Sequence, residues 1–134
     1  MKELSASLNG NFFHNKDIIP FEKTQVQPKL KFNPDNKYYS IIMVDPDAPS
    51  SKNPIYKYVL HWLVINNSEI ILDFMPPAPP FGSGFHRYYI NLFEQPNKIK
   101  LDEIPERHKF DLESFVQKYK LKLVASNMFM TQRK

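Results

Sequence analysis

The chain has no cysteine among its 134 residues, which removes disulfide frameworks, thiolate nucleophiles and Cys-based zinc sites together. Long apolar runs are also missing. The longest, Ser40–Val44 and Val59–Ile65, are strand-sized and far short of the ~20 residues that a spanning helix needs. The start, MKELSASLNGNFF, holds no apolar stretch long enough for a signal peptide. A soluble, cytoplasmic protein is therefore expected, and the sequon Asn66-Asn67-Ser68 has no consequence without secretion. A length within the usual ~100–200 residues of a domain reads as one domain over residues 1–134, able to bury a core without a metal or disulfide staple.

The net charge is a modest +4, and Lys118, Lys120, Lys122, Arg133 and Lys134 crowd the C-terminal end. Such a cluster favours acidic partners without choosing among them. A solvated face kept for solubility is the simpler account.

Three glycines stand against 12 prolines. Proline-punctuated short segments rich in aromatic and β-branched residues point to a mainly β domain. The expected strands are Glu3–Leu8, Lys29–Phe32, Tyr38–Val44, Val59–Ile65, Glu69–Phe74, Arg87–Glu94 and Leu121–Phe129. One stretch reads as helix, with Asp111 as cap and Leu112, Phe115, Val116 and Tyr119 on one buried face. Runs of strands with a single late helix predict a sandwich-like antiparallel architecture.

Three segments can carry chemistry. Asp45-Pro46-Asp47-Ala48-Pro49-Ser50 follows an apolar strand, so its two carboxylates lie at a sheet edge on a loop stiffened by proline. Taken alone, the hexapeptide reads first as an ordinary tight turn. His61 lies in an apolar strand where a period of two groups it with Val59, Leu63 and Ile65, opposite Leu60, Trp62 and Val64. A lone histidine there is usually a satisfied core residue, and only a neighbouring carboxylate or cavity changes that. His86 opens a strand whose alternation groups it with Tyr88, Ile90 and Leu92, opposite Arg87, Tyr89, Asn91 and Phe93. Just before it, Pro79-Pro80-Phe81-Gly82-Ser83-Gly84 places glycines where backbone can approach a ligand closely.

The order DPDAPS, then HWLV in a strand, then a proline loop leading into GSGFHRYYINLFEQ closely resembles the phosphatidylethanolamine-binding proteins. That family includes Raf kinase inhibitor proteins and plant flowering-time regulators, and the likeness runs from about Leu4 to the last strand. The resemblance implies a large antiparallel sheet packed on a smaller one, with one or two short peripheral helices. It also implies a surface pocket for phosphate-like anions or phosphorylated head groups, lined by Asp45, Asp47, Pro49, His61, Pro80, His86 and Tyr88. Arg87 is implied to be structural, pointing away from His86 toward a carboxylate. In such a pocket the carboxylates orient the imidazoles, two histidines near Asp45 offer N–H donors, and a protonated phosphate donates to an Asp.

Three departures bear on the ligand. Pro76-Pro77-Ala78 stands where the family has Gly-x-Gly, which costs main-chain donors. Val59 replaces the usual aromatic two residues before the pocket histidine. The chain stops at Lys134, where many relatives continue into a C-terminal helix, so a more open site is expected.

The leading expectation is a non-catalytic regulatory binding protein that needs no cofactor. Its partners would be anions or phosphorylated groups, kinases or other phosphoproteins, and weakly an anionic membrane, with no nucleic acid. Alternatives are a metal-assisted phosphoester hydrolase built on Asp45, His61 and His86, and a serine protease inhibitor acting through surface segments. A polyproline ligand at Pro76–Pro80 ranks below these.

Overall fold

A strand that is apolar on both faces has to sit inside a sheet that is covered on both sides, and two strands of this chain meet that description. In the computed structural model, which describes residues 2–134, they are β6 (Tyr38–Asp45) and β7 (Val59–Ile65), paired antiparallel. Flanking them in the large sheet are β9 (His86–Gln95) on one side of β6 and β8 (Glu69–Leu72) beyond β7. Next to β9 lies β10 (Lys122–Thr131), again antiparallel. Two short strands, β1 (Lys2–Glu3) and β4 (Asp17–Ile18), pair in parallel with successive parts of β10. The small antiparallel sheet is β3-β2-β5, from Asn11–Phe13, Ser5–Leu8 and Lys29–Lys31.

The expected mainly β architecture is therefore present, with corrections at its edge. The predicted strand Glu3–Leu8 is two strands in different sheets, with Leu4 between them donating its N–H to Ser126 O at 3.0 Å. The strands at Asn11–Phe13 and Asp17–Ile18 were not anticipated, being too short for a periodic pattern. The helix α1 (Leu112–Lys118) forms where predicted, with Ser114 N–H donating to Asp111 Oδ1 at 3.1 Å as its cap.

Strand alternation builds a core on each face of the large sheet. Between the sheets lie Leu4, Ala6, Leu8, Ile41, Met43, Trp62, Tyr88, Ile90 and Phe129. On the far face, under α1 and the long connection before it, lie Ile42, Val44, Leu60, Leu63, Ile65, Phe93 and Phe115. A bulge interrupts β7: Met43 pairs with Trp62, but Val44 pairs with Leu60, leaving His61 as the extra residue. Bulges re-aim side chains. His61 thus shares its side with Val59 as predicted, but Trp62 and Val64 continue that side, while Leu63 and Ile65 join Leu60 on the other.

Leu63 is wholly buried in the far-face core, whereas Ile70 is 58% exposed on β8. Leu63→Ala should cost about 2–5 kcal/mol and Ile70→Ala within about 0.5 kcal/mol. Urea denaturation checks both, with the midpoint of the first falling and its slope unchanged.

Candidate functional site

The end of β6 and the start of β9 lie side by side, because Val44 pairs with Tyr89. That register brings Asp45 against His86, whose Nδ1 lies 2.8 Å from Asp45 Oδ2, both groups buried. The other oxygen of Asp45 accepts the Asp47 N–H at 2.7 Å, closing the loop on itself. Asp47 in turn receives the Arg87 N–H at 2.8 Å, Nε at 3.0 Å and Nη2 at 2.9 Å. The DPDAP loop is thereby fastened to β9 by two carboxylates that serve opposite faces of one strand. Arg87 pairs with a carboxylate on the side away from His86, as the resemblance implied.

Around this junction is a cavity of about 280 Å³, whose lining includes Asp45, Pro49, His61, Pro80, His86 and Tyr88. Six of the seven expected site residues are thus brought together. Asp47 is the correction: it is buried but lies outside the lining, both of its oxygens engaged by Arg87. Burial alone would raise its carboxyl, but the hydrogen bonds and charge of Arg87 outweigh that and hold it below the usual carboxylate range.

His61 Nδ1 lies 2.7 Å from the Met75 carbonyl oxygen. A carbonyl only accepts, so the ring hydrogen sits on Nδ1 and Nε2 is left with a lone pair. Burial pushes His61 below the ordinary imidazole value, against the opposing pull of the Met75 bond and the Asp45 charge. The expectation that both histidines offer N–H donors to an anion is corrected accordingly: His61 presents an acceptor. Arg107 fixes the backbone here, donating from Nη1 to Leu60 O and His61 O, both at 3.1 Å, and from Nη2 to Asp73 O at 2.8 Å.

His86 Nε2 is 3.0 Å from Ser83 Oγ, and that hydroxyl donates to Pro80 O at 2.7 Å. A hydroxyl has one hydrogen. With that hydrogen on Pro80, the ring donates to Ser83, as it does to Asp45. Tyr88 stands between the histidines, its ring 5.3 Å from His61 edge-on and 6.3 Å from His86 near-parallel, and stacked 5.4 Å from Phe129. Its buried hydroxyl has no hydrogen-bond partner, though Asp45 and the Ala78 N–H lie close enough to act on it. Burial, reinforced by the Asp45 charge, raises its pKa, so it stays a neutral donor.

Sequence reasoning missed four lining residues: Ala48, Tyr56, Met75 and His108. Tyr56 and His108 pack edge-on at 5.4 Å within the lining. They sit in turns without periodicity, and no pattern in the chain marks them. The Pro76-Pro77-Ala78 stretch does not close the cavity: Met75 and Ala78 line it, and Pro77 O accepts from Gln25 Nε2 at 2.8 Å. Among the described residues no three His, Asp or Glu side chains form a group that could hold a metal ion. The terminal cations are partly engaged, with Lys118 paired to Asp102 at 2.7 Å and Arg133 stacked between Phe21 and Phe81.

The family profile described as phosphatidylethanolamine-binding protein matches residues 9–70. A phosphatidylethanolamine-binding protein homolog of Acanthamoeba polyphaga mimivirus is 46% identical, covering 98% of both proteins. Among solved structures, a carboxypeptidase Y inhibitor complexed with its cognate proteinase superposes with a TM-score of 0.87 at 24% identity, covering 98% of this chain and 83% of that one. A phosphatidylethanolamine-binding protein from Plasmodium vivax gives 0.75 at 21% identity, covering 99% and 88%. The chain belongs to the phosphatidylethanolamine-binding protein family.

Arg87→Ala should destabilise the fold by about 2–3 kcal/mol, less than a fully buried pair because the guanidinium is half exposed. Arg87→Lys should not recover this, because one ammonium cannot replace the fork; denaturant unfolding of both variants is the check. His61 gives a pH signature. Its folded value is depressed, so the unfolded chain binds the proton more readily, and stability falls as pH drops through about 6.5. Unfolding of wild type and His61→Gln from pH 8 to 5 should show a shallower fall in the variant.

Proposed function

We propose that the chain is a non-catalytic binding protein of the cytosol that holds a phosphate-like anion or phosphorylated group in the Asp45–His61–His86–Tyr88 cavity. By capturing such groups it modulates signalling partners such as kinases and other phosphoproteins. The observation that carries this reading is the convergence of the unpartnered Tyr88 hydroxyl and the Asp45-oriented His86 ring on one small cavity. An anion that accepts from the Tyr88 hydroxyl completes a hydrogen bond that the protein leaves open, and it takes the His86 Nε2–H over from Ser83. Affinity should be millimolar, since a small ligand makes few contacts.

The Asp45–His86–Ser83 chain also has the connectivity of a nucleophilic triad. Its hydrogen bonding supports a holding role instead, because Ser83 directs its proton to Pro80 and its lone pairs to the ring. The peptidase-inhibitor reading rests on fold likeness alone and brings forward no residue of this chain.

Titration with phosphate and O-phosphorylethanolamine, followed by NMR of all four imidazoles, should move His61 and His86 together and saturate. His86→Ala should abolish the effect. Silence of both rings up to about 10 mM ligand would remove the anion reading. A fluorophosphonate reagent should leave Ser83 unlabelled; His86-dependent labelling would return the catalytic one.

A further inference from the structure

We infer that this cavity selects oxyanions that carry their own proton, phosphate and phosphate monoesters, and that the bare Nε2 of His61 is the group that reads the proton. The inference rests on the anion-binding reading above and narrows it to a ligand class.

On the acceptor side, Tyr56 and His108 are exposed and satisfied by water, and each Asp45 oxygen already holds a donor. Asp45 Oδ1 holds the Asp47 N–H, and Oδ2 holds His86. Asp47 is outside the lining and wholly taken by Arg87. His61 Nδ1 is committed to the Met75 carbonyl, and Nε2 has no partner among the described residues while the ring lines the cavity. The groups facing His61 keep it in that form. Burial, Arg107 and His86 disfavour a second ring proton, and only Asp45 and the Met75 bond favour it. On the donor side stand the Tyr88 hydroxyl, without a partner, and the His86 Nε2–H, which rests on Ser83.

Charge points the same way. No Lys or Arg lines the cavity, and the ring donor it does hold, His86, is already matched by Asp45. A fully ionised dianion would therefore meet little counter-charge and would press an oxygen lone pair against that of His61. A hydrogen phosphate or monoester monoanion instead donates its P–OH to His61 Nε2 while its ionised oxygens accept from Tyr88 and His86. Sulfate has the same size and shape but no proton at neutral pH. A phosphodiester, the linkage of a phospholipid head group, has none on its phosphate either. Sites that bury a committed acceptor reject isosteres lacking the matching donor, because the acceptor is left unpaired.

The test is a comparison on the wild-type protein at about pH 6, where a monoester keeps its own proton on about half of its molecules, at constant ionic strength, by imidazole NMR or calorimetry. The probes are inorganic phosphate, phosphoserine, sulfate and dimethyl phosphate. Phosphate and phosphoserine should bind, with sulfate and dimethyl phosphate weaker by about 10-fold or more. Sulfate or dimethyl phosphate binding as well as phosphate would overturn the assignment to His61 while leaving the anion site in place. No binding by any probe would overturn the anion reading itself, and this inference with it. In His61→Phe, once its unfolding transition confirms a folded chain, the preference for phosphate over sulfate should vanish; a preference kept intact would also overturn the assignment.

Discussion

The buried pair of Asp45 and His86, 2.8 Å apart, is the contact on which the rest of the site depends. It joins the last residue of β6 to the first of β9, the two strands at the middle of the large sheet. Burying a charged pair is costly, and breaking one is costlier, because a lone charge stays behind. Everything near it keeps that charge satisfied. Asp45 turns its second oxygen onto its own loop, Asp47 carries the loop to Arg87, and Ser83 receives the far nitrogen of the ring. The cavity is the space this arrangement leaves between β7 and β9, with Tyr88 placed in it by its stack on Phe129.

Chemistry, rather than size, singles out this cavity. A larger groove of about 510 Å³ runs along Ile18, Phe21, Phe85 and Arg133. Its Arg133 guanidinium is sandwiched between Phe21 and Phe81 at 4.4 and 5.0 Å, an arrangement that fastens the Pro80–Gly84 turn to the end of β10. Gly82 N–H adds a hydrogen bond to Arg133 O at 3.1 Å. The groove thus supports the turn that carries Ser83, and Arg133 does structural work there.

How much of this could be read from the residues differs between elements. Val59–Ile65 was bounded correctly because seven consecutive buried residues leave little ambiguity about a central strand. The alternation along His86–Leu92 correctly sent His86 and Tyr88 to one side and Arg87 to the other. The side-chain order in β7 was misjudged, because a bulge is a pairing event between strands and leaves no mark in the periodicity of one of them. The role of Asp47 was misplaced for a related reason. Two carboxylates two residues apart look alike in the chain, and only the register of β9 decides that one meets a histidine and the other an arginine. His61 as acceptor was out of reach because its tautomer is set by the Met75 carbonyl, 14 positions away.

The central claim is that the protein presents one ring as a donor and the other as an acceptor. Long-range proton–nitrogen NMR of the wild-type imidazoles at neutral pH, without ligand, tests it most directly. The account predicts hydrogen on both nitrogens of His86, and on Nδ1 alone in His61. A His61 ring carrying its proton on Nε2, or a His86 ring bare at Nδ1, would contradict it.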